Sequence, residues 1–102
     1  MKRVLVRYKV KADHAAENEA LVKKVFEELA QTTPGGIRYA TFKLDDGVSF
    51  VHVASIETQD GSNPLGETAA FKAFQAEIKE RCEEPPVAVD LNEVGSYRFF
   101  GE

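Results

Sequence analysis

The stretch GVSFVHVASIE, residues 47–57, is apolar like the middle of a buried strand, yet it carries His52 at its centre. An imidazole in that position has two readings. One is a core histidine whose ring bonds Thr41, Tyr39 or a backbone carbonyl, since buried polar groups are nearly always satisfied. The other is a general base at the floor of a pocket between a sheet and its helices. A neutral ring with an ordinary pKa of ~6.5 suits proton abstraction, and partial burial pushes that pKa down and keeps the ring neutral. Tyr39 and Tyr8 fall on the same predicted strand face as His52. Their rings fill core space, and where a pocket exists their hydroxyls and that of Thr41 can hold a substrate oxygen. Gln75, at the margin of a helical apolar stripe, either orients a ligand from the opposite wall or sits near solvent at an edge.

Other chemistry finds little support. The lone Cys82 can form neither an intrachain disulfide nor a thiolate cluster, and a place near a helix C-terminus opposes thiolate formation. His14, in the first turn of a helix, reads as a solvated surface residue. Two histidines in the first half of the chain offer no usable metal spacing, and no Walker loop, GxGxxG or nucleophile elbow is present. No metal and no cofactor are therefore expected. Lys and Arg total 13 against 17 Asp and Glu, a net charge of −4, which argues against nucleic acid as a partner. No apolar run approaches the ~20 residues of a membrane span. Met1 is followed almost at once by strand-like sequence, so no signal peptide is expected, and the single cysteine fits a reducing cytoplasm.

The elements that must position these residues are readable from periodicity. The chain of 102 residues makes one domain, residues 1–102, without repeats or linkers. RVLVRYKV, residues 3–10, alternates with Val4, Val6, Tyr8 and Val10 on one face and Arg3, Leu5, Arg7 and Lys9 on the other. Asp13 is a plausible N-cap for a helix over residues 14–32 with Val22, Val25, Phe26 and Leu29 in its apolar stripe. TTPGG ends it. IRYATFKL and VSFVHVASIE flank Asp46-Gly47, a type I′ hairpin signal, which pairs Lys43 with Phe50, Thr41 with His52, Tyr39 with Ala54 and Ile37 with Ile56. After a polar, lid-like loop, residues 58–66, a second helix is predicted over 67–84, with Phe71, Phe74, Ile78 and Cys82 in its stripe. Pro85-Pro86 stops it, VAVDLNEV makes the last strand, and SYRFF a short extended piece.

This order, βαββαβ, is the ferredoxin-like one: an α+β fold with an antiparallel sheet, both helices on one face and the third strand between the first and second. Leu5, Phe42, Val51 and Val53 then occupy the face the helices leave open, and a second copy of the same sheet is the simplest cover, giving a homodimer. Arg7, Lys9, Arg38, Asp90 and Glu93 are expected as rim ion pairs between subunits.

PGGIRYATFKLDDG followed by VSFVHVASIE resembles the PGCLRYELY-then-FVLVERWED stretch of the antibiotic biosynthesis monooxygenase family. AFKAFQAEI is similar to the second-helix segment of that family and VRYKVKAD to its first strand, so the likeness covers nearly the whole chain in order. It implies a dimeric α+β barrel, two ferredoxin-like subunits packed sheet to sheet. Some members oxygenate polycyclic phenols with O₂ and neither metal nor flavin; others degrade haem. Here ASIE replaces ERWE, leaving Ala54 and Ile56 where the family carries Glu and Trp. The Asn, Trp and His of the haem-degrading members fall at Val6, Leu65 and Gln75, so that pattern is missing.

The expectation is a cofactor-independent monooxygenase-like protein for a small aromatic or quinol-type compound. His52 would be the base that makes an electron-rich phenolate or carbanion able to pass one electron to O₂, with Tyr39, Thr41, Tyr8 and Gln75 binding the substrate. The alternatives are a non-enzymatic dimeric module that binds a small ligand, and an isomerase or decarboxylase using the same base. A cavity of ~300 Å³ or more reaching His52 separates a ligand site from a core filled by Phe50, Phe71, Phe74 and Leu29.

Overall fold

The structure, a computed structural model, describes residues 1–99. Four antiparallel strands form one sheet: β1 (Lys2–Val10), β2 (Ile37–Lys43), β3 (Ser49–Ile56) and β4 (Cys82–Asp90), in the spatial order β2-β3-β1-β4. Helix α1 (Ala15–Thr32) crosses between β1 and β2, while α2 (Ala69–Ala76) and α3 (Ile78–Arg81) lie between β3 and β4. The ferredoxin-like order is as expected, with β3 interior to the sheet. Among the described residues no helix is long and apolar enough to cross a membrane.

The hairpin register is the expected one: Thr41 pairs with His52, Tyr39 with Ala54 and Lys43 with Phe50. On the other side of β3, β1 sets Val6 against His52 and Tyr8 against Phe50. Because side chains alternate along a strand, this register sends Tyr8, Val10, Phe50, His52 and Ala54 to the helical side, where all are buried. There Tyr8, Val10 and Phe50 meet Val22 and Val25 of α1 and Phe74 of α2 in one core.

The turn itself is not type I′. Asp46 does not adopt positive φ; only Gly47 does, at +77°. The Asp46 carboxylate instead accepts from the Val48 and Ser49 amides at 3.0 and 2.8 Å and from the Ser49 hydroxyl, closing a longer loop around the same register. Asp13 is likewise not the N-cap. It lies within a single 3₁₀ turn, Ala12–His14, and α1 starts one turn later without a side-chain cap. α1 ends as anticipated, with Thr33 left-handed at φ 44° and its amide on the Leu29 carbonyl.

The second half departs further from expectation. The helix over 67–84 is broken: α2 stops at Ala76, Glu77 leaves helical geometry at φ −130°, and α3 adds one turn. Cys82 opens a strand and does not end a helix. Pro85 and Pro86 sit inside β4, where β1 and β4 lose register between Arg7 and Lys9. Proline is tolerated there because β4 is an edge strand and a bulge needs no ladder amide. β4 ends at Asp90, so Asn92, Glu93 and Val94 lie beyond it. The described part of SYRFF contains no strand, and its Phe100 lies outside the described residues.

Gly36 joins the loop after α1 to β2 at φ +80°, and a Cβ built there would stand 2.6 Å from the Thr58 Cγ2. Both the backbone region and the contact oppose a side chain. Gly36→Ala is expected to lower unfolding free energy by about 1–3 kcal/mol, whereas the same change at Gly35, which meets nothing, should do far less; urea denaturation measures both.

On the face away from the helices, Phe42, Val87 and Val89 are exposed, at 53%, 60% and 47%. Three of the five charges expected between subunits have partners within the chain: Lys9 with Glu84, Arg38 with Glu57, and Glu93 with Arg3.

Candidate functional site

His52 reaches the helical side from the middle of β3, with only 6% of its surface exposed. The register decides what surrounds it. Its cross-strand neighbour on β2 is Thr41, and one step along the same face lie Tyr39 on β2 and Tyr8 on β1. All three hydroxyls turn onto the ring. Tyr8 Oη is 2.8 Å from Nε2, while Tyr39 Oη and Thr41 Oγ1 are 2.5 and 3.1 Å from Nδ1. Rings pack around this centre: Tyr8 stacks on Phe50 at 5.6 Å, Tyr39 on Phe26 at 5.1 Å, and Phe74 lies 5.3 Å from the imidazole.

Withdrawal from water controls the protonation states. Burial lowers the His52 pKa from its ordinary 6.5 to about 4. Burial also raises the Tyr39 hydroxyl to about 12 and pushes the Tyr8 hydroxyl well above the usual phenolic range, against the lowering effect of its bond from Asn18. At neutral pH the imidazole and both phenols are uncharged.

A second layer, drawn from the helices, holds Tyr8 in place. Asn18 of α1, fully buried, donates from Nδ2 to Tyr8 Oη at 2.9 Å. Arg81, at the end of α3 and also buried, donates from Nε to Asn18 Oδ1 at 3.1 Å and from its terminal nitrogen to the Phe74 carbonyl at 2.6 Å. Its guanidinium lies 5.3 Å over the Phe74 ring. Neither residue stands out in a reading of sequence for chemistry. The available signal is position: Asn18 lies four residues before Val22 in the buried stripe of α1, and Arg81 seven residues after Phe74.

Beside this network is a cavity of about 400 Å³, lined by His52, Tyr8, Tyr39, Val6, Phe71, Phe74 and Gln75 among others. Phe71 and Phe74 wall the space and do not fill it, and Leu29 and Phe50 are not on its surface. Gln75 and Asn63 are exposed and mark the mouth. Leu65, in the 3₁₀ turn Pro64–Glu67 that ends the 58–66 loop, closes another side and is itself a core residue. Of the residues singled out from sequence, His52, Tyr8, Tyr39 and Gln75 thus share one cavity. Thr41 does not line it; its hydroxyl serves the imidazole from behind. Val6, Leu65 and Gln75 are all on the wall, so the positions matched to the haem-degrading pattern do converge, with other side chains. His14 lies elsewhere, its ring 2.8 Å from Glu17. Among the described residues no three of His, Cys, Asp or Glu cluster as metal ligands would. Cys82 is buried, and burial raises its thiol pKa.

What the arrangement offers chemically is an uncharged imidazole in a largely apolar, aromatic-walled space, with phenolic hydroxyls on both of its nitrogens. It suits a flat, weakly polar molecule carrying one or two oxygens.

No protein-family model matches the sequence, and no curated protein matches it. Solved structures do. A candidate antibiotic biosynthesis monooxygenase from Nitrosomonas europaea superposes with a TM-score of 0.75 at 21% identity, over 93% of this chain and 100% of that one. One from Caulobacter crescentus gives 0.70 at 24% identity, over 92% and 90%. SnoaB from Streptomyces nogalater, a cofactor-independent oxygenase studied as its N63A mutant, gives 0.67 at 14% identity, over 93% and 94%. At these identities the likeness is one of fold: the chain is built as the ferredoxin-like subunit of the antibiotic biosynthesis monooxygenase structures, as its sequence resemblance implied.

Proposed function

We propose that this protein is a cofactor-independent monooxygenase for a small aromatic or quinol-type compound, working as a homodimer. The observation that carries this reading is the cavity that reaches His52, bounded by aromatic walls and by the two tyrosines bonded to the imidazole. In this reading a planar ring lies against the wall that Phe71 and Phe74 form by stacking on each other, with its oxygen toward Tyr39 or Tyr8.

His52 takes a proton from an activated methylene or hydroxyl of the substrate. The resulting anion passes one electron to O₂, and the radical pair recombines as a peroxide. For a methylene carbon, loss of water from the peroxide leaves a carbonyl; one oxygen atom enters the product and the other departs as water. The substrate anion, held next to the newly formed imidazolium, offsets the burial that otherwise disfavours a charged ring. Oxygen uptake with a panel of hydroxylated anthrones and quinols tests this. His52→Ala is expected to reduce turnover roughly 100-fold or more, the range for loss of a general base. Unchanged turnover in that variant removes the base.

One observation favours a second reading, a dimeric module that binds a small ligand without transforming it. Both ring nitrogens already have partners within the protein, as in a satisfied core histidine. Ligand binding without oxygen consumption or any change in the ligand selects that reading; conversion without oxygen selects an isomerase or decarboxylase.

A further inference from the structure

We infer that Arg81 and Asn18 are positioning residues that fix the tautomer of His52, leaving Nε2 as its basic nitrogen and making Tyr8 the group through which a proton must reach it. The chain of bonds runs from α3 through α1 and β1 to β3: Arg81 Nε to Asn18 Oδ1, Asn18 Nδ2 to Tyr8 Oη, and Tyr8 Oη to His52 Nε2. All four residues are buried.

Each bond constrains the next. A guanidinium only donates, so the atom of Asn18 that faces it is the carbonyl oxygen, and the amide nitrogen therefore faces Tyr8. That nitrogen also only donates, so the Tyr8 oxygen accepts from it. Tyr8 has one proton left to place, and among the described residues His52 Nε2 is the one remaining partner of its hydroxyl. The proton goes there, and Nε2 is an acceptor. A neutral imidazole carries its hydrogen on the other nitrogen, so Nδ1–H donates to the oxygens of Tyr39 and Thr41, both within 3.1 Å. The opposite tautomer would place Nε2–H against Tyr8 and leave the phenolic proton, in a buried place, without an acceptor among these residues. The guanidinium sets the direction of every bond without touching the ring.

Two consequences follow for the cavity. Tyr39, accepting from Nδ1–H, keeps its own proton for an oxygen of a bound molecule. Tyr8 becomes a relay: as a substrate proton arrives on the Tyr8 oxygen, the Tyr8 proton moves to Nε2. The products are the substrate anion, a neutral Tyr8 and an imidazolium whose two N–H groups both have acceptors. The tautomer stands on the hydrogen-bond geometry alone; the relay rests on the function proposed above.

The test is two-bond ¹H–¹⁵N correlation of the protein labelled with ¹⁵N-histidine at neutral pH. His14, the one other histidine, is assigned by a His14→Gln variant. The wild-type spectrum is expected to show the His52 Nδ1–H form, and the Nε2–H form there overturns the inference. Asn18→Asp keeps the shape and the bond from Arg81 but turns the second oxygen into an acceptor for Tyr8. Its phenolic proton then points to Asp, and His52 is expected to switch to Nε2–H; an unswitched ring overturns the inference. Should that variant not fold, Tyr8→Phe removes the donor to Nε2 and is expected to give a mixture of tautomers, while a pure Nδ1–H spectrum in it counts against the inference. A wild-type Nδ1–H signal in a protein that consumes no oxygen with any substrate upholds the tautomer and sinks only the proposed activity.

Discussion

Acidified from pH 7 to pH 4, the folded protein is expected to lose about 3 kcal/mol of stability through His52 alone. The unfolded chain protonates this ring near 6.5, whereas burial holds the folded one to about 4. Above the unfolded value both states are neutral and the difference vanishes. Between the two values the unfolded chain binds one more proton than the folded one. Stability falls as pH falls wherever that holds, so the whole loss is confined to this window. Carboxylates with lowered pKa, Asp46 through its bonds from Ser49 and Val48 and Glu19 through Lys43 and Lys23, add their own acid sensitivity at the acid end of this window and below it. His52→Gln separates the two contributions, because an amide bonds the same hydroxyls and does not titrate. Urea unfolding of both proteins at pH 7, 5.5 and 4.5 should show wild type declining more steeply by more than 1 kcal/mol. Parallel curves would mean that the ring is not held neutral by burial. In the proposed reaction the same depression keeps His52 unprotonated well into acid, so kcat/KM is expected to keep its acid limb below pH 5.

Why the imidazole and its tyrosines were legible in the sequence, and Asn18 and Arg81 were not, comes down to the two periodicities. A strand alternates strictly, so once Asp46-Gly47 set the register, Thr41 and Tyr39 had to share a face with His52, and the alternation of β1 puts Tyr8 on its apolar, helix-facing side with them. The register does not need the type I′ turn, since the Asp46 side chain closes a longer loop at the same spacing. Helical stripes are broader, and a polar residue within one is not told apart from a margin position. Asn18 and Arg81 could be solvated by a small rotation of their helices, and it is the packing against Tyr8 that excludes this. The break at Glu77 left even less trace: residues 67–84 hold good helix formers at a steady period, and only the start of β4 at Cys82 ends the helix. Pro85-Pro86 read as a helix stop because proline in a strand is rare; the bulge opposite β1 is a tertiary feature that local sequence does not announce.

A single substitution on the open face of the sheet, Phe42→Glu, is expected to convert the proposed homodimer to a monomer without unfolding it. Leu5, Val51 and Val53 line that face between Phe42 on one edge strand and Val87 and Val89 on the other, and none of the described helices covers it. In a single subunit Phe42 is more than half exposed, so replacing it removes little internal packing and leaves the core between sheet and helices as it was. In a sheet-to-sheet dimer the same side chain is enclosed, and a carboxylate in its place is an unpaired charge taken out of water. Loss of one partner of a buried charge pair is destabilising by about 3–5 kcal/mol, which serves as the scale here, so the dissociation constant should rise by roughly 100-fold or more. Two of the cations of that face already have partners within the chain, Lys9 in Glu84 and Arg38 in Glu57, so salt should affect the association less than this apolar change does. Sedimentation velocity at micromolar concentration distinguishes the cases, with far-ultraviolet circular dichroism showing whether the fold is retained. A wild-type monomer, or a Phe42→Glu protein that stays dimeric, would leave the open face of β3 without the role assigned to it. A monomer that retains ligand binding at His52 would show that the helical side forms its cavity without help from the partner.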